Sequence, residues 1–257
     1  VPQPPDPIRA RRPVDDDRGT LGSLARLRGF LADSDPVVLV NGDSLCDWPV
    51  ERVLEAHRSG GAVATLLVAS SPDPDDFGGG VSVDAGGRVL SFRGASPPGT
   101  ARRGVFAGLH AVSAAILENV DERPSDIVRD LYEPLLASGA IVGTVFTKGR
   151  WHDLGTPRRY LEGVLDAAAE SGGEWIDAAA SVSPTAVVRR SVLEAGSAVD
   201  EAARVDGSVL LEGARVGAEA RVRDSVVGPG AHLAAGARLD GSLVTVSGSG
   251  VVAPRSL

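Results

Sequence analysis

Between Val182 and Ser249 the chain repeats itself four times with a period of 17 residues, as units 182–198, 199–215, 216–232 and 233–249. The units open on Val182, Val199, Val216 and Leu233. A small residue recurs at Ala186, Ala203, Ala220 and Ala237, and an aliphatic one at Val188, Val205, Val222 and Leu239. Serines at 191, 208, 225 and 242 each precede two more aliphatic residues, and Gly196, Gly213 and Gly230 mark one corner. Apolar positions spaced six, five and six residues apart give each unit three short sides. Glycine and β-branched residues at every corner and side exclude a helix. The pattern predicts a parallel β-helix of about four triangular coils, with aliphatic ladders inside. No coil buries its own ladder, so stacking supplies the stability.

Ahead of the repeat, Val37-Val38-Leu39-Val40 runs into Asn41-Gly42-Asp43. An uninterrupted apolar run predicts a buried strand of a doubly wound α/β sheet. Ligands in such sheets sit beyond the carboxyl ends of the strands, where Gly42 would turn Asp43 toward the crevice. The local alternative is an Asp that caps a helix starting near Asp47 or Pro49. A second acid, Asp153 in Trp151-His152-Asp153-Leu154-Gly155-Thr156-Pro157, again precedes a Gly turn and a Pro-started helix, 110 positions later. Two carboxylates on neighbouring loops suit a hard cation such as Mg²⁺ that bridges a substrate's phosphates.

These two segments, in this order and followed by this repeat, resemble the sugar-1-phosphate nucleotidyltransferases, the NDP-sugar pyrophosphorylases that include mannose-1-phosphate guanylyltransferase. The resemblance implies a Rossmann-like nucleotidyltransferase sheet, N-terminally incomplete here, followed by a left-handed parallel β-helix. It implies that a nucleotidyl group passes from an NTP to a sugar 1-phosphate with release of pyrophosphate. Asp43 and Asp153 match the family's catalytic, metal-binding acids, and Mg²⁺ is the implied cofactor. Gly19-Thr20-Leu21-Gly22 is similar to the family's nucleotide-contacting segment, which makes Gly19, Thr20 and Gly22 nucleotide-binding candidates. Read locally, the same residues are an ordinary helix start with outward amides. Gly108, in the strand expected at 105–112, matches the small residue beside the sugar.

The sequence also departs from the family. The G-x-G-T-R-x-x-P loop and downstream Pro-Lys have no counterpart, and the Glu-Lys-Pro sugar-phosphate segment is replaced by Phe92-Arg93-Gly94-Ala95-Ser96-Pro97-Pro98. Three expectations follow from the missing loop: upstream sequence, a neighbouring chain covering the edge, or a non-catalytic regulatory or scaffold relative. Hexapeptide acyltransferases share the coil pattern too. Their chemistry needs a histidine base between coils, and His232 is the one histidine in the repeat, expected on the surface.

In chain order, residues 1–18 read as an irregular arm, 19–171 as the nucleotidyltransferase-like domain, 172–181 as a linker around Gly172-Gly173, and 182–257 as the β-helix, expected to serve homo-oligomerisation. Helices are expected at 19–32, 50–59, 113–117, 126–138 and 158–170, and a hairpin around Gly86-Gly87. His110 and the single cysteine, Cys46, are expected to be packed, and Lys148 solvated. A net charge of −8 argues against a nucleic-acid partner. No apolar run approaches a membrane span or a signal peptide, so a cytoplasmic location without membrane attachment is expected.

Overall fold

In the computed structural model the residues described are 19–31, 33–70, 74–170, 172–247, 250–251 and 254–257; the arm expected at 1–18 lies outside them. In chain order the strands up to residue 153 are β1 (Val37–Val40), β2 (Ser44–Cys46), β3 (Ala64–Ala69), β4 (Val81–Val83), β5 (Val89–Phe92), β6 (Arg102–Val112), β7 (Val142–Thr147) and β8 (Trp151–Asp153). The α-helices are α1 (Gly19–Arg26), α2 (Arg28–Leu31), α3 (Val50–Gly60), α4 (Glu133–Ala137) and α5 (Pro157–Glu170). The chain divides into two units. One runs to Gly42 and resumes over Asp47–Gly149; the other joins Asp43–Cys46 to Arg150–Leu257.

The first unit is a curled α/β sheet of Rossmann-like character, ordered β5-β4-β6-β3-β7, with β1 beside β6. All six residues of β3 are buried, as its unbroken Ala-Thr-Leu-Leu-Val-Ala run requires. Its core joins Leu21 and Leu24 of α1 to Leu66, Val68, Val112, Ile127 and Tyr132. The strand expected at 37–40 and the helix expected at 50–59 are present, followed by β3, and β1 and β3 run in the same direction. They are not neighbours, because β6 lies antiparallel between them, Val112 pairing with both Val37 and Ala64. The reading of 37–40 as a strand covered on both faces is corrected as well. Val37 is 3% exposed but Val40 is 50% exposed, the last residue of a strand paired on one side only among the described residues. An apolar run encodes burial, not the direction or number of its neighbours.

The expected helix at 126–138 forms in two parts, a π-helical turn over Val128–Tyr132 and then α4. Pro134 has no N–H to donate, so a regular α-ladder cannot run through this point.

In the second unit three ladders of parallel strands form the sides of the coils. One comprises Ser181–Val182, Ala198–Val199, Arg215–Val216 and His232–Leu233; another comprises Val187–Arg189, Arg204–Asp206, Arg221–Arg223 and Arg238–Asp240. The third begins at Trp175–Ile176, inside the stretch read as a linker. It continues through Val192–Leu193, Val209–Leu210, Val226–Val227 and Ser242–Val244, and ends on the antiparallel strand Arg255–Ser256. Coil-to-coil register is the 17-residue period itself: Val188 pairs with Val205, Val205 with Val222, and Val222 with Leu239. Leu193, Val199, Leu210, Val216 and Val227 fill the interior. Helix α5 packs Leu161 and Ala168 on the outward residues Val192, Val209 and Val226, so this side is apolar on both faces. Gly196, Gly213 and Gly230 turn the corner with φ of 69°, 69° and 64°, which explains glycine there.

The recurring serine has a structural role. Ser208 N–H donates to Ser191 Oγ, Ser225 N–H to Ser208 Oγ and Ser242 N–H to Ser225 Oγ, each at 3.1 Å. Each hydroxyl in turn donates to the carbonyl two residues back, as Ser208 does to Asp206 at 2.9 Å. Ser208→Ala strands the buried Ser225 N–H, and an expected loss of roughly 1–3 kcal/mol follows. Urea unfolding of the variant checks this; an unchanged midpoint would dismiss the ladder as a source of stability. Among the described residues no helix is long and apolar enough to cross a membrane.

Candidate active site

Asp43 and Asp153 meet through two three-residue strands. In the second unit β2 pairs antiparallel with β8, setting Ser44 opposite Asp153, Leu45 opposite His152 and Cys46 opposite Trp151. Leu154 N–H donates to the Asp43 carbonyl at 2.8 Å, extending the pairing by one rung. Cys46 is buried at the end of this ladder, as expected. Both carboxylates then converge on the bare face of Gly155. A Cβ at that position would stand 2.9 Å from Asp153 Oδ1 and 3.6 Å from Asp43 Oδ2, so the two oxygens are at most about 6.5 Å apart.

The pair is asymmetric. Asp153 Oδ1 accepts the Gly155 N–H at 2.7 Å, and its Oδ2 accepts Nη1 of Arg159, from the first turn of α5, at 2.7 Å. Asp43 is exposed. A carboxylate oxygen keeps a second lone pair after accepting one hydrogen bond, so both acids retain coordinating capacity. Among the described residues no third acid, histidine or cysteine joins them. Two carboxylates with room for water and phosphate oxygens match the usual protein contribution to a Mg²⁺ site, so the donor set fits that ion.

The other candidates belong to the first unit. Gly19 starts α1 with φ of 62°, and its bare face lies against the Ser125 carbonyl, which a Cβ would approach to 2.5 Å. That carbonyl also accepts the Leu21 N–H at 3.2 Å, so one amide that the sequence left free at this helix start is taken. Gly22 is buried and Thr20 exposed. Gly108, with φ of 88°, has Asn41 packed on its bare face: a Cβ would come within 2.8 Å of the Asn41 side chain. Asn41 N–H donates to the Gly108 carbonyl at 2.8 Å. Glycine at 108 is thus demanded by the backbone and by Asn41.

His110 is fully buried, with Nδ1 hydrogen-bonded to the Tyr132 hydroxyl and Phe106 edge-on at 5.0 Å. Burial lowers its pKa to about 3. It is a neutral packing residue, as expected; Lys148 and His232 are exposed, as expected.

Sequence reasoning missed three features, two at the acid pair and one, His57, in the interior of the first unit. The β2–β8 pairing has no periodic signal at three residues a strand. Arg159 could have been found, since an arginine six residues after Asp153 falls in the first turn of the helix that Pro157 announces. His57, buried between Thr65 Oγ1 at 3.1 Å and Ser113 Oγ at 3.4 Å, carried no signal of its own on a helix of alternating polarity.

Comparison with known proteins agrees with this architecture. Residues 8–170 match the nucleotidyl transferase family, and residues 168–252 match the GlmU-like C-terminal hexapeptide family. The chain is 29% identical over 146 residues to the mannose-1-phosphate guanylyltransferase catalytic subunit beta of Dictyostelium discoideum, covering 57% of this chain and 40% of that one. The same subunit of Xenopus tropicalis is 28% identical over 162 residues, covering 62% and 44%. Mannose-1-phosphate guanylyltransferase 1 of Arabidopsis thaliana is 29% identical over 148 residues, covering 57% and 40%. The match thus spans less than half the length of these relatives. The converging acids, the curled sheet, the coils and the family match together make this chain a member of the nucleotidyl transferase family, with a hexapeptide-repeat β-helix at its C-terminal end.

Proposed function

We propose that the chain transfers a nucleotidyl group from an NTP to a sugar 1-phosphate and releases pyrophosphate, forming an NDP-sugar as the similar mannose-1-phosphate guanylyltransferases are named for doing. The observation that carries this reading is the convergence of Asp43 and Asp153 on Gly155. These two acids would hold Mg²⁺, which when bound neutralises phosphate charge and orients the phosphates. Gly155 keeps the space between the carboxylates open, and Arg159 fixes the Asp153 rotamer through its second oxygen. The attacking sugar phosphate is already ionised, so positioning and electrostatics supply the rate and no general base is needed. A buried, neutral His110 agrees with that requirement. Gly19, Thr20 and Gly22 are assigned to the nucleotide, and Gly108 with Asn41 to the sugar. The β-helix is assigned to self-association.

The experiment is a pyrophosphate-release assay of the chain with each NTP, hexose 1-phosphates and Mg²⁺. Release that requires both substrates and the metal supports the transferase; none with any combination removes it. One observation favours a second reading, a subunit that binds the nucleotide without turning it over: Arg159 already neutralises Asp153, so one of the two acids carries a protein counter-ion of its own. Nucleotide binding without pyrophosphate release would select that reading.

A further inference from the structure

In the first unit, two adjoining hollows of about 470 Å³ and 290 Å³ share Gly86, Gly87 and Thr144. They form one groove between the tip of the β4–β5 hairpin, the outer edge of β7 and helix α3. Three arginines line it: Arg52 from α3, Arg102 from the start of β6 and Arg88 from the hairpin. All three are exposed, and none has an acidic partner among the described residues, although acids outnumber basic residues 34 to 26 in the chain. Some arginines elsewhere are paired, as Arg129 is with Asp130, Arg159 with Asp153 and Arg223 with Asp240, whereas others, such as Arg204, Arg221 and Arg238 on the β-helix, stand exposed on an open face. What distinguishes Arg52, Arg88 and Arg102 is that they line one groove.

The groove is also shaped. Arg102 sits over the Phe146 ring, its guanidinium carbon 3.5 Å from the ring centroid, a contact that holds the cation in the groove. Thr144 Oγ1 donates to the Gly87 carbonyl at 2.8 Å and ties the hairpin tip to β7. The one acid in the lining, Asp84, is committed to the turn, since its Oδ1 accepts both Gly86 N–H and Arg88 N–H at 2.8 Å. Beyond the bridge between Arg88 and Gly143, the outer edge of β7 carries no further strand among the described residues, so its backbone donors also face the groove. Unpaired guanidinium groups around a glycine turn and an open strand edge form a receptor for phosphate oxygens, and the combined volume suits a ligand of nucleotide size.

We propose that this groove binds a phosphorylated small molecule, gripped by Arg52 and Arg102 with Arg88 at the far end, separately from the Asp43 and Asp153 pair. The inference does not depend on the proposed reaction. Its test titrates pyrophosphate, GTP and a hexose 1-phosphate into the full chain by calorimetry with excess EDTA present, which removes metal-dependent binding at the two acids. Saturable binding is expected. It weakens at least about tenfold in Arg102→Ala and in Arg52→Glu, each of which loses a charged hydrogen-bonding partner. In Asp43→Asn it is unchanged. If pyrophosphate binds as tightly as GTP, the phosphate alone is recognised; if GTP binds more tightly, the groove also holds the nucleoside. Arg52 is exposed on α3, so its variant remains informative should Arg102→Ala loosen the Phe146 stack. No binding at millimolar concentration, or binding that both arginine variants leave intact, overturns the site. Pyrophosphate release by the two arginine variants without added effector is expected to equal that of the unmodified chain, which separates this site from the proposed catalytic one.

Discussion

Asp43→Asn and Asp153→Asn are each expected to lower the rate of pyrophosphate release by roughly 10²–10³-fold, equivalent to ~2.7–4 kcal/mol of lost transition-state stabilisation. Amide replacement keeps the shape of each side chain. At 153 it keeps an acceptor for the Gly155 N–H, so β2–β8 pairing and the Gly155 turn survive while the negative charge goes. If both acids hold one ion, as proposed, removing either dismantles the site and the two losses are not expected to add. Arg159→Lys is the informative companion. It retains a cation beside Asp153 but not the planar guanidinium donors, and tests whether that partner tunes the pair or only holds it. Steady-state rates with Mg²⁺ and the NTP and hexose 1-phosphate that support pyrophosphate release by the unmodified chain check all three. Full activity in either Asn variant would end the assignment of these acids to the chemistry.

Acid is expected to unfold the first unit through His110. Burial holds the folded imidazole near a pKa of about 3, whereas the unfolded chain takes up the proton near 6.5. Below pH 6.5 the unfolded state therefore binds more protons, and stability falls as the pH drops, by up to about 1.4 kcal/mol per unit and roughly 3 kcal/mol by pH 4. Above pH 6.5 this contribution is fully retained. His57 acts in the same direction, its pKa lowered first by burial and further by Arg58, with Asp35 opposing. Urea midpoints measured from pH 7 to pH 4 should show the decline, and His110→Leu should flatten it, even though that variant gives up the hydrogen bond to Tyr132. Equal slopes in the two proteins would mean that other groups drive acid unfolding.

What the sequence disclosed follows from how each feature is encoded. The coils were legible down to their corners because every unit solves the same packing problem. Val188, Val205, Val222 and Leu239 occupy equivalent places, so a single period reports the whole array. The α/β sheet was legible in its elements but not in its order. The insertion of β6 between β1 and β3 depends on pairing β1 with a strand more than 60 residues further along the chain, as Val37 with Val112, and no local pattern carries it. Asp43 and Asp153 stood out because each sits at a strand end beside a glycine. The β2–β8 pairing that joins them, with Ser44 opposite Asp153, is too short for a period, and its strands are set by each other rather than by their own residues. The prolines worked both ways: Pro157 announced α5, while Pro134 hid a change of helix type inside one apolar stripe.

The serine column has a corollary for the length of the array. Each hydroxyl speaks only to the coil directly above it and to its own turn below, with an offset of one period, so the array contains no long-distance bookkeeping that fixes its height. A whole period could therefore be inserted or removed while every surviving junction keeps the same chemistry.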